Sequence, residues 1–300
     1  MMQNRTLVVI NEGSTRAGAD AALFVERLKT LGIDASVESF DAPDAMAERI
    51  RSADSQFDRI VIGGGDGTMA AVADALRERD LPVGLLPLGN ACDLARSLGI
   101  PRDPEQAAEI AVSGRLQRID LGSVNGHPFF NLASLGLSVQ VARRLTAEAK
   151  RRWGVFSYPL LLWDSFHATR PFSVEVTCDG EVRRLRTIQL GIGSGYHYGG
   201  GMTVAEDASL EDGLLHVYAI EPMSWAQLLL LLPRLWLGRY KSVQQVAIMT
   251  GRTIVVTTRR PRSVNADGEI VARTPATFKI APGAVKVLVP HGTETPGLSS

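Results

Sequence analysis

The run RIVIGGGDGTMAAV, residues 59–72, joins a β-branched stretch through three glycines to Asp66, Gly67 and Thr68, which open a helix-spaced segment. Glycines let backbone amides approach an anion closely, and a helix N-terminus favours negative charge. Asp66 cannot meet an anion directly. It therefore serves a metal, a ribose hydroxyl or a proton, or, on a plainer reading, caps a helix. The motif is neither a Walker A loop nor a strict dinucleotide fingerprint, because no Gly-Lys-Ser/Thr follows and Thr68 holds the last position. A second run, LPVGLLPLGNACDLARSLGIP (81–101), again leads from a strand into a turn, with Asn90 to Asp93 at the head of a helix. Two such loops on adjacent strand ends form the two-sided crevice where open α/β sheets hold ligands; a Pro-Gly turn capped by Asn90 is the bland alternative.

Two acidic clusters follow in the second half. GIGSGYHYGGGMTVAEDASLEDGLLHV (191–217) carries Glu206, Asp207, Glu211 and Asp212, oxygen donors that suit a hard cation such as Mg²⁺ or simply a solvated turn. SVNADGEIV (263–271) puts Asp267 and Glu269 on a turn, two apart. On an extended segment they would share a face and both could enter a cleft. No histidine spacing suits a metal, and neither a CxxC nor a nucleophile elbow occurs. Cys92, near a helix start, reads as a reactive thiol or, better, as a buried structural one.

The elements that must position these groups change character along the chain. Up to about residue 122, short apolar strands alternate with helices: Arg5 to Ile10, Gly18 to Leu31, Ile33 to Phe40, Pro43 to Ala53, Arg59 to Ile62, Thr68 to Arg79, Pro82 to Leu86 and Ala91 to Leu98. That pattern predicts βαβ units and a mainly parallel sheet. From about 123 to 290, alternating strands dominate: Arg118 to Val124, Phe129 to Ala133, Phe172 to Asp179, Glu181 to Gly191, Gly213 to Ile220, Thr253 to Thr257 and Phe278 to Pro290. Asp-Gly turns punctuate them, as in antiparallel hairpins, and helices are expected at Val139 to Arg152 and Ser224 to Leu237. The expectation is an α/β domain (1–122), a β-rich sandwich-like domain (123–290), a tail (291–300) and a site in the cleft between the two domains.

Composition excludes several classes. With 300 residues, 45% of them hydrophobic, the chain can build real cores and is neither disordered nor a disulfide scaffold. Its 32 basic and 32 acidic residues leave no net charge, which argues against nucleic acid as a partner. Only two cysteines, Cys92 and Cys178, point to a reducing cytoplasm. No secretory signal or membrane-spanning run is expected, since Leu228 to Leu232 is closed by Pro233.

Taken in order, GGGDGT, PLGNACDLAR, FFNLASLG, YGGGMTVAEDASLEDGLL and NADGE resemble the diacylglycerol kinase catalytic-domain family, in particular its bacterial soluble lipid kinases; sphingosine kinases and, more remotely, NAD kinases share the plan. The resemblance spans Asn11 to Pro290. It implies ATP bound between two domains, Mg²⁺, and phosphoryl transfer to a lipid hydroxyl. By motif, Gly64, Gly65, Asp66, Gly67 and Thr68 would cradle the phosphates. Ser39 falls where the family keeps a nucleotide-touching Thr, and Asn90 where PLGT places its Thr. Asp212 would bind Mg²⁺ with the carbonyls of Ser209 and Leu214, and Glu269 or Asp267 would take the proton of the attacking hydroxyl. The metal at Asp212 reads as structural, so a nucleotide-borne Mg²⁺ near Asp66 is also implied. The sequence departs from the family at Ala70-Ala71, Asn90, Cys92, Ser194 and Glu206. Two alternatives therefore stand beside the lipid kinase: a kinase of a non-lipid alcohol, and a weakened nucleotide-binding regulatory protein.

The segments WGVFSYPLLLW (153–163) and MSWAQLLLLLPRLWLGRY (223–240) hold Trp153, Trp163, Trp225 and Trp236. Tryptophan and tyrosine beside arginine suit peripheral membrane contact. A buried helix pair or a homodimer contact explains the same residues.

Overall fold

The computed structural model describes residues 5–14, 16–144, 157–194, 197–198, 202–203, 209–236 and 245–292. Glu206, Asp207, Trp153 and the later part of the helix expected from Val139 to Arg152 lie outside them. The first half comprises β1 (Arg5–Asn11), α1 (Ala17–Thr30), β2 (Asp34–Phe40), α2 (Pro43–Arg51), β3 (Arg59–Gly64), α3 (Asp66–Arg79), β4 (Val83–Pro87), α4 (Asp93–Ser97) and α5 (Pro104–Ser113). Strands β1 and β3 are buried on both faces, as continuous apolar runs should be when helices cover either side. The four strands run parallel in the order β2-β1-β3-β4. Helix α1 packs beside α5 and α2 beside α3. Helix α5 escapes the sequence reading although its signals are present: Asp103 accepts from the Gln106 N–H at 2.8 Å, and Pro104 fills the first helical turn.

The second half continues with β5 (Arg115–Val124), β6 (His127–Phe129), β7 (Leu132–Gly136), α6 (Leu137–Arg144), α7 (Ser157–Ala168), β8 (Phe172–Cys178), β9 (Glu181–Thr187) and β10 (Gln189–Gly193). Then come β11 (His197–Tyr198), β12 (Met202–Thr203), β13 (Leu215–Ile220), α8 (Trp225–Trp236), β14 (Val246–Gly251), β15 (Thr253–Thr258), β16 (Ser263–Ala266), β17 (Glu269–Arg273) and β18 (Ala276–Val289). A six-stranded antiparallel sheet, β14-β13-β10-β7-β16-β17, faces the β18-β15-β8 part of the larger sheet. Phe129, Leu190, Val217, Ile254 and Phe278 fill the space between them. Each such side chain contributes about 1.5–3 kcal/mol through burial. A parallel α/β half followed by a β-rich antiparallel half is thus the observed architecture.

Strand β18 stitches the halves together. One edge pairs antiparallel with β5 for most of its length; the other pairs with β15 near its start and with β4, in parallel, at Val287. The register against β5 shifts between Ala281 and Val285, where Gly283 takes a φ of +58°. A single ten-stranded sheet therefore runs through both halves.

Three expected elements come out differently. The strand expected from Phe129 to Ala133 is broken at Phe130 and Asn131, whose amides turn away to a carboxylate. The strand expected from Glu181 to Gly191 divides at Ile188, so that β9 joins the large sheet and β10 the small one. There the Thr187 hydroxyl donates to the carbonyls of Gln189 and Ile220. Helix α4 starts at Asp93 rather than Ala91, because Cys92 adopts a left-handed φ of +50°.

Candidate active site

The glycine loop closes β3 against the head of α3, a helix of 14 residues that begins at Asp66. Its neighbour is the PLGN loop after β4. Leu88 donates its N–H to the Gly64 carbonyl at 3.0 Å, and a Cβ on Gly89 would lie 2.6 Å from the Gly65 Cα. Only glycine permits that approach, so the expected crevice has two walls touching at their base. Asn11, at the end of β1, ties in a third strand end by donating Nδ2–H to the Thr68 hydroxyl at 2.8 Å.

Asp66 is a cap, but not of its own helix. Its two carboxylate oxygens accept the N–H groups of Asp93 and Leu94, each at 3.0 Å. Cys92, the residue before α4, makes no side-chain cap, so Asp66 supplies one from a different element. The side-chain amide of Asn131, from the second half, reaches the same carboxylate at 3.4 Å. Cys92 is buried and its thiol donates to the Gly89 carbonyl. Burial, and then the charge of Asp66, push that thiol above its ordinary pKa, which supports the structural reading of this cysteine.

The opposing wall is the β16–β17 hairpin. Asp267 and Gly268 both take positive φ, +46° and +101°, the signature of a two-residue primed turn. Asp267 lies within the turn rather than on an extended segment, so the alternation rule does not apply to it. Its carboxylate folds back onto the amides of Phe130, Asn131 and Leu132 at 2.7, 3.1 and 3.1 Å. Burial pushes its pKa up to about 7, with the charge of Asp66 adding to the rise and the three amides opposing it. Glu269 behaves differently. It is exposed and stands over the glycine loop, where a Cβ on Gly67 would come within 3.3 Å of its Oε1. The two halves therefore meet with Glu269 above Gly67 and with Asn131 against Asp66, while Asp267 faces its own half.

The other expected site residues lie further out. Ser39 pairs in register with Ile10, which pairs with Gly63, so it shares the strand-end row of the glycine loop two strands away. It lines an open groove of about 660 Å³ together with Ile10, Glu12, Gly18, Val25 and Val37. Asn90 sits on the exposed lip of the PLGN loop, where the Arg102 guanidinium donates to its carbonyl and to that of Ala91. Asp212 accepts the N–H groups of Ser209 and Leu214 at 3.2 and 2.9 Å, and its Oδ2 lies 2.7 Å from His216 Nε2. That turn is anchored on β5 and the bulge of β18 through Asp120, which accepts from the N–H groups of Gly213 and Gly283. Burial raises the pKa of Asp120.

A resident Mg²⁺ can be tested against this turn. Among the described residues no three His, Cys, Asp or Glu side chains converge on one point. Asp212 keeps 23% of its side chain exposed, in a turn that also carries the carbonyls of Ser209 and Leu214. One carboxylate with backbone oxygens is a donor set that fits a hard cation completed by water. Ser209, Asp212 and Leu214 supply those donor types, and both Asp212 oxygens are already hydrogen-bonded in this turn.

Sequence reasoning missed Asn131, Asn11 and Asp120. Asn131 stands in the quoted FFN motif but gave no signal of its own, because its partners Asp66 and Asp267 are 65 and 136 positions away. Its Oδ1 and the Nδ2 of Asn265 are buried without a hydrogen-bond partner.

A glycine-loop α/β half faced by a carboxylate from a β-sandwich half is the plan of a two-lobed kinase. Residues 5–124 match the diacylglycerol kinase catalytic domain, and residues 131–289 match the YegS C-terminal NAD kinase beta sandwich-like domain. The chain belongs to this diacylglycerol kinase family of lipid kinases. It is 30% identical over 279 residues to the diacylglycerol kinase of Mycobacterium tuberculosis, with 89% of each chain covered. It is 32% identical over 306 residues to a Pseudomonas aeruginosa protein named "Probable lipid kinase YegS-like", covering 98% of this chain and 97% of the other. The fold matches the crystal structure of a diacylglycerol kinase from Bacillus anthracis at a TM-score of 0.77, 17% identity, and coverage of 97% and 98%. Among the described residues no helix is long and apolar enough to cross a membrane.

Proposed function

We propose that the protein transfers the γ-phosphoryl group of ATP, with Mg²⁺, to a hydroxyl of a membrane lipid. The observation that carries this reading is Glu269 Oε1 standing over Gly67 at the head of α3. The amides of Gly65 and Gly67 and the N-terminus of α3 hold the phosphates, with Gly64 shaping the turn and Ser39 and Asn90 on its rim. Asp66 acts by keeping the two loops closed on each other, and Asp267 acts by holding the hairpin that presents Glu269. The Glu269 carboxylate takes the proton of the acceptor hydroxyl as that oxygen bonds to the γ-phosphorus. The bond to the β,γ-bridging oxygen breaks, and ADP leaves with the electron pair. A metal held by Asp212 with the carbonyls of Ser209 and Leu214 would stabilise the turn, whereas a nucleotide-borne Mg²⁺ would neutralise phosphate charge.

The test is transfer of label from γ-labelled ATP to a total lipid extract, with Glu269→Gln as control. Labelled phospholipid with the parent chain and none with the variant supports the reading. Measurable nucleotide binding without any transfer would replace it with a regulatory role.

A further inference from the structure

Asn131 sits where the two walls of the cleft meet, and it is only 3% exposed. Its backbone belongs to the β-rich wall. The N–H donates to Asp267 Oδ1 at 3.1 Å, and the carbonyl accepts the Ser194 N–H at 3.1 Å. Its neighbours are held in the same way. Phe130 and Leu132 donate their N–H groups to Asp267, and the Ser194 hydroxyl donates to the Phe130 carbonyl at 3.0 Å. The Asp267 N–H returns a bond to the Leu132 carbonyl at 3.1 Å. Residues 130–132 and the Asp267–Gly268 turn therefore form one unit. The Asn131 side chain leaves that unit and reaches across to Asp66 at 3.4 Å.

Stability does not account for this side chain. Its Oδ1 is buried without a partner, and leaving a buried acceptor unpaired costs at least as much as one neutral hydrogen bond returns. Turning the amide over would press that oxygen against the Asp66 carboxylate, so the orientation is fixed. An apolar residue of the same shape would remove the cost together with the bond. What the amide does achieve is a tie between the walls.

Glu269 depends on such a tie. Among the described residues no hydrogen bond or ion pair holds its carboxylate. Its place over Gly67 comes from the hairpin, where it follows Gly268, whose N–H donates to Asn265 Oδ1 at 3.1 Å. The hairpin is fixed to residues 130–132, and Asn131 fixes those to Asp66, the neighbour of Gly67. We propose that Asn131 is a positioning residue: its side-chain amide sets the distance of Glu269 from the head of α3. The inference deepens the reading of Glu269 as the base and rests on it. Without the amide the β16–β17 wall can draw back from the glycine loop, and a displacement of about 1 Å at a reacting group costs about 10²-fold in rate. Pairing of β18 with β5 and β4 still holds the halves together, so spacing changes and the fold does not.

The experiment follows label from γ-labelled ATP into a total lipid extract in detergent micelles. It compares the full parent chain with Asn131→Leu, Glu269→Gln and the double variant, recording thermal melting beside the rates. Leucine keeps the volume of asparagine, and Asn131→Ala is run as a second variant that adds no methyl groups. Expected for both is a kcat lowered by about 10²-fold, with an unchanged KM for ATP and a melting temperature close to that of the parent. In the Glu269→Gln chain the same substitutions cost nothing further, because they act through a carboxylate that is gone. A residue with a merely structural part would slow both backgrounds by the same factor. That result, a parental kcat, or a loss confined to the KM for ATP overturns the proposal. Parental transfer by Glu269→Gln removes the base reading itself, whereas a loss there beside full rates in the Asn131 variants removes only the positioning role.

Discussion

Asp66 and Asp267 hold opposite ends of one residue: the side-chain amide of Asn131 donates to Asp66 at 3.4 Å, and its backbone amide donates to Asp267 at 3.1 Å. Through that residue the turn of the β16–β17 hairpin is linked to the glycine loop and to the head of α4.

Glu269→Gln should lower turnover by about 10²- to 10⁴-fold, the range for losing a positioned base, while leaving the melting temperature nearly unchanged because the side chain is exposed. Steady-state kinetics beside thermal melting check this. A fall in kcat with an unchanged KM for ATP is the expected signature.

Asp66→Asn should destabilise the fold by about 0.5–2 kcal/mol, since one of the α4 amides loses its acceptor and faces an NH₂ group. Urea unfolding measures it. Asn131→Ala should be non-additive with Asp66→Asn, because both act on the same carboxylate. Additive losses would show that the contact between the halves is energetically idle.

The elevated pKa of Asp267 predicts a particular slope of stability with pH. The unfolded carboxyl titrates near the ordinary value of about 4, and the folded one at about 7. Between those values the folded chain binds the extra proton, so this contribution is fully present below about pH 4 and is lost as pH rises through about 7. Melting temperature measured across that window should fall with rising pH, and the fall should be smaller in Asp267→Asn. A side-chain carboxyl titrating near 4 in the folded chain by NMR would contradict it.

Gly89→Ala should cost about 1–3 kcal/mol, as for an overpacked core, because the new methyl would meet the Gly65 backbone rather than a flexible side chain. Gly126→Ala is the control: its surroundings are open but its φ is +88°, so its cost comes from conformation alone. Nucleotide binding should weaken for the first substitution and not for the second.

Much of the fold was legible along the chain because its signals are local. Apolar runs ending in glycine marked β3 and β4, and Asp-Gly pairs marked the turns at Asp179, Asp212 and Asp267. Helix α5 was missed although its Asp103 and Pro104 signals are local, whereas the two strands that were misjudged needed distant partners. Phe129 to Ala133 breaks because the amides of Phe130, Asn131 and Leu132 bond Asp267, more than 130 positions away. Glu181 to Gly191 divides because β9 and β10 belong to different sheets.

The site divides along the same line. The sequence by itself determined which groups are available: an amide-rich loop at the head of a helix, and carboxylates at Asp66, Asp212, Asp267 and Glu269. Glycine's freedom and the helix N-terminus are properties of a few consecutive residues. Only the tertiary structure decided what each carboxylate does, since a carboxylate's role depends on the donors around it. Folding spent Asp66 on the amides of α4 and Asp267 on those of residues 130–132, and left Glu269 facing Gly67 across the two halves.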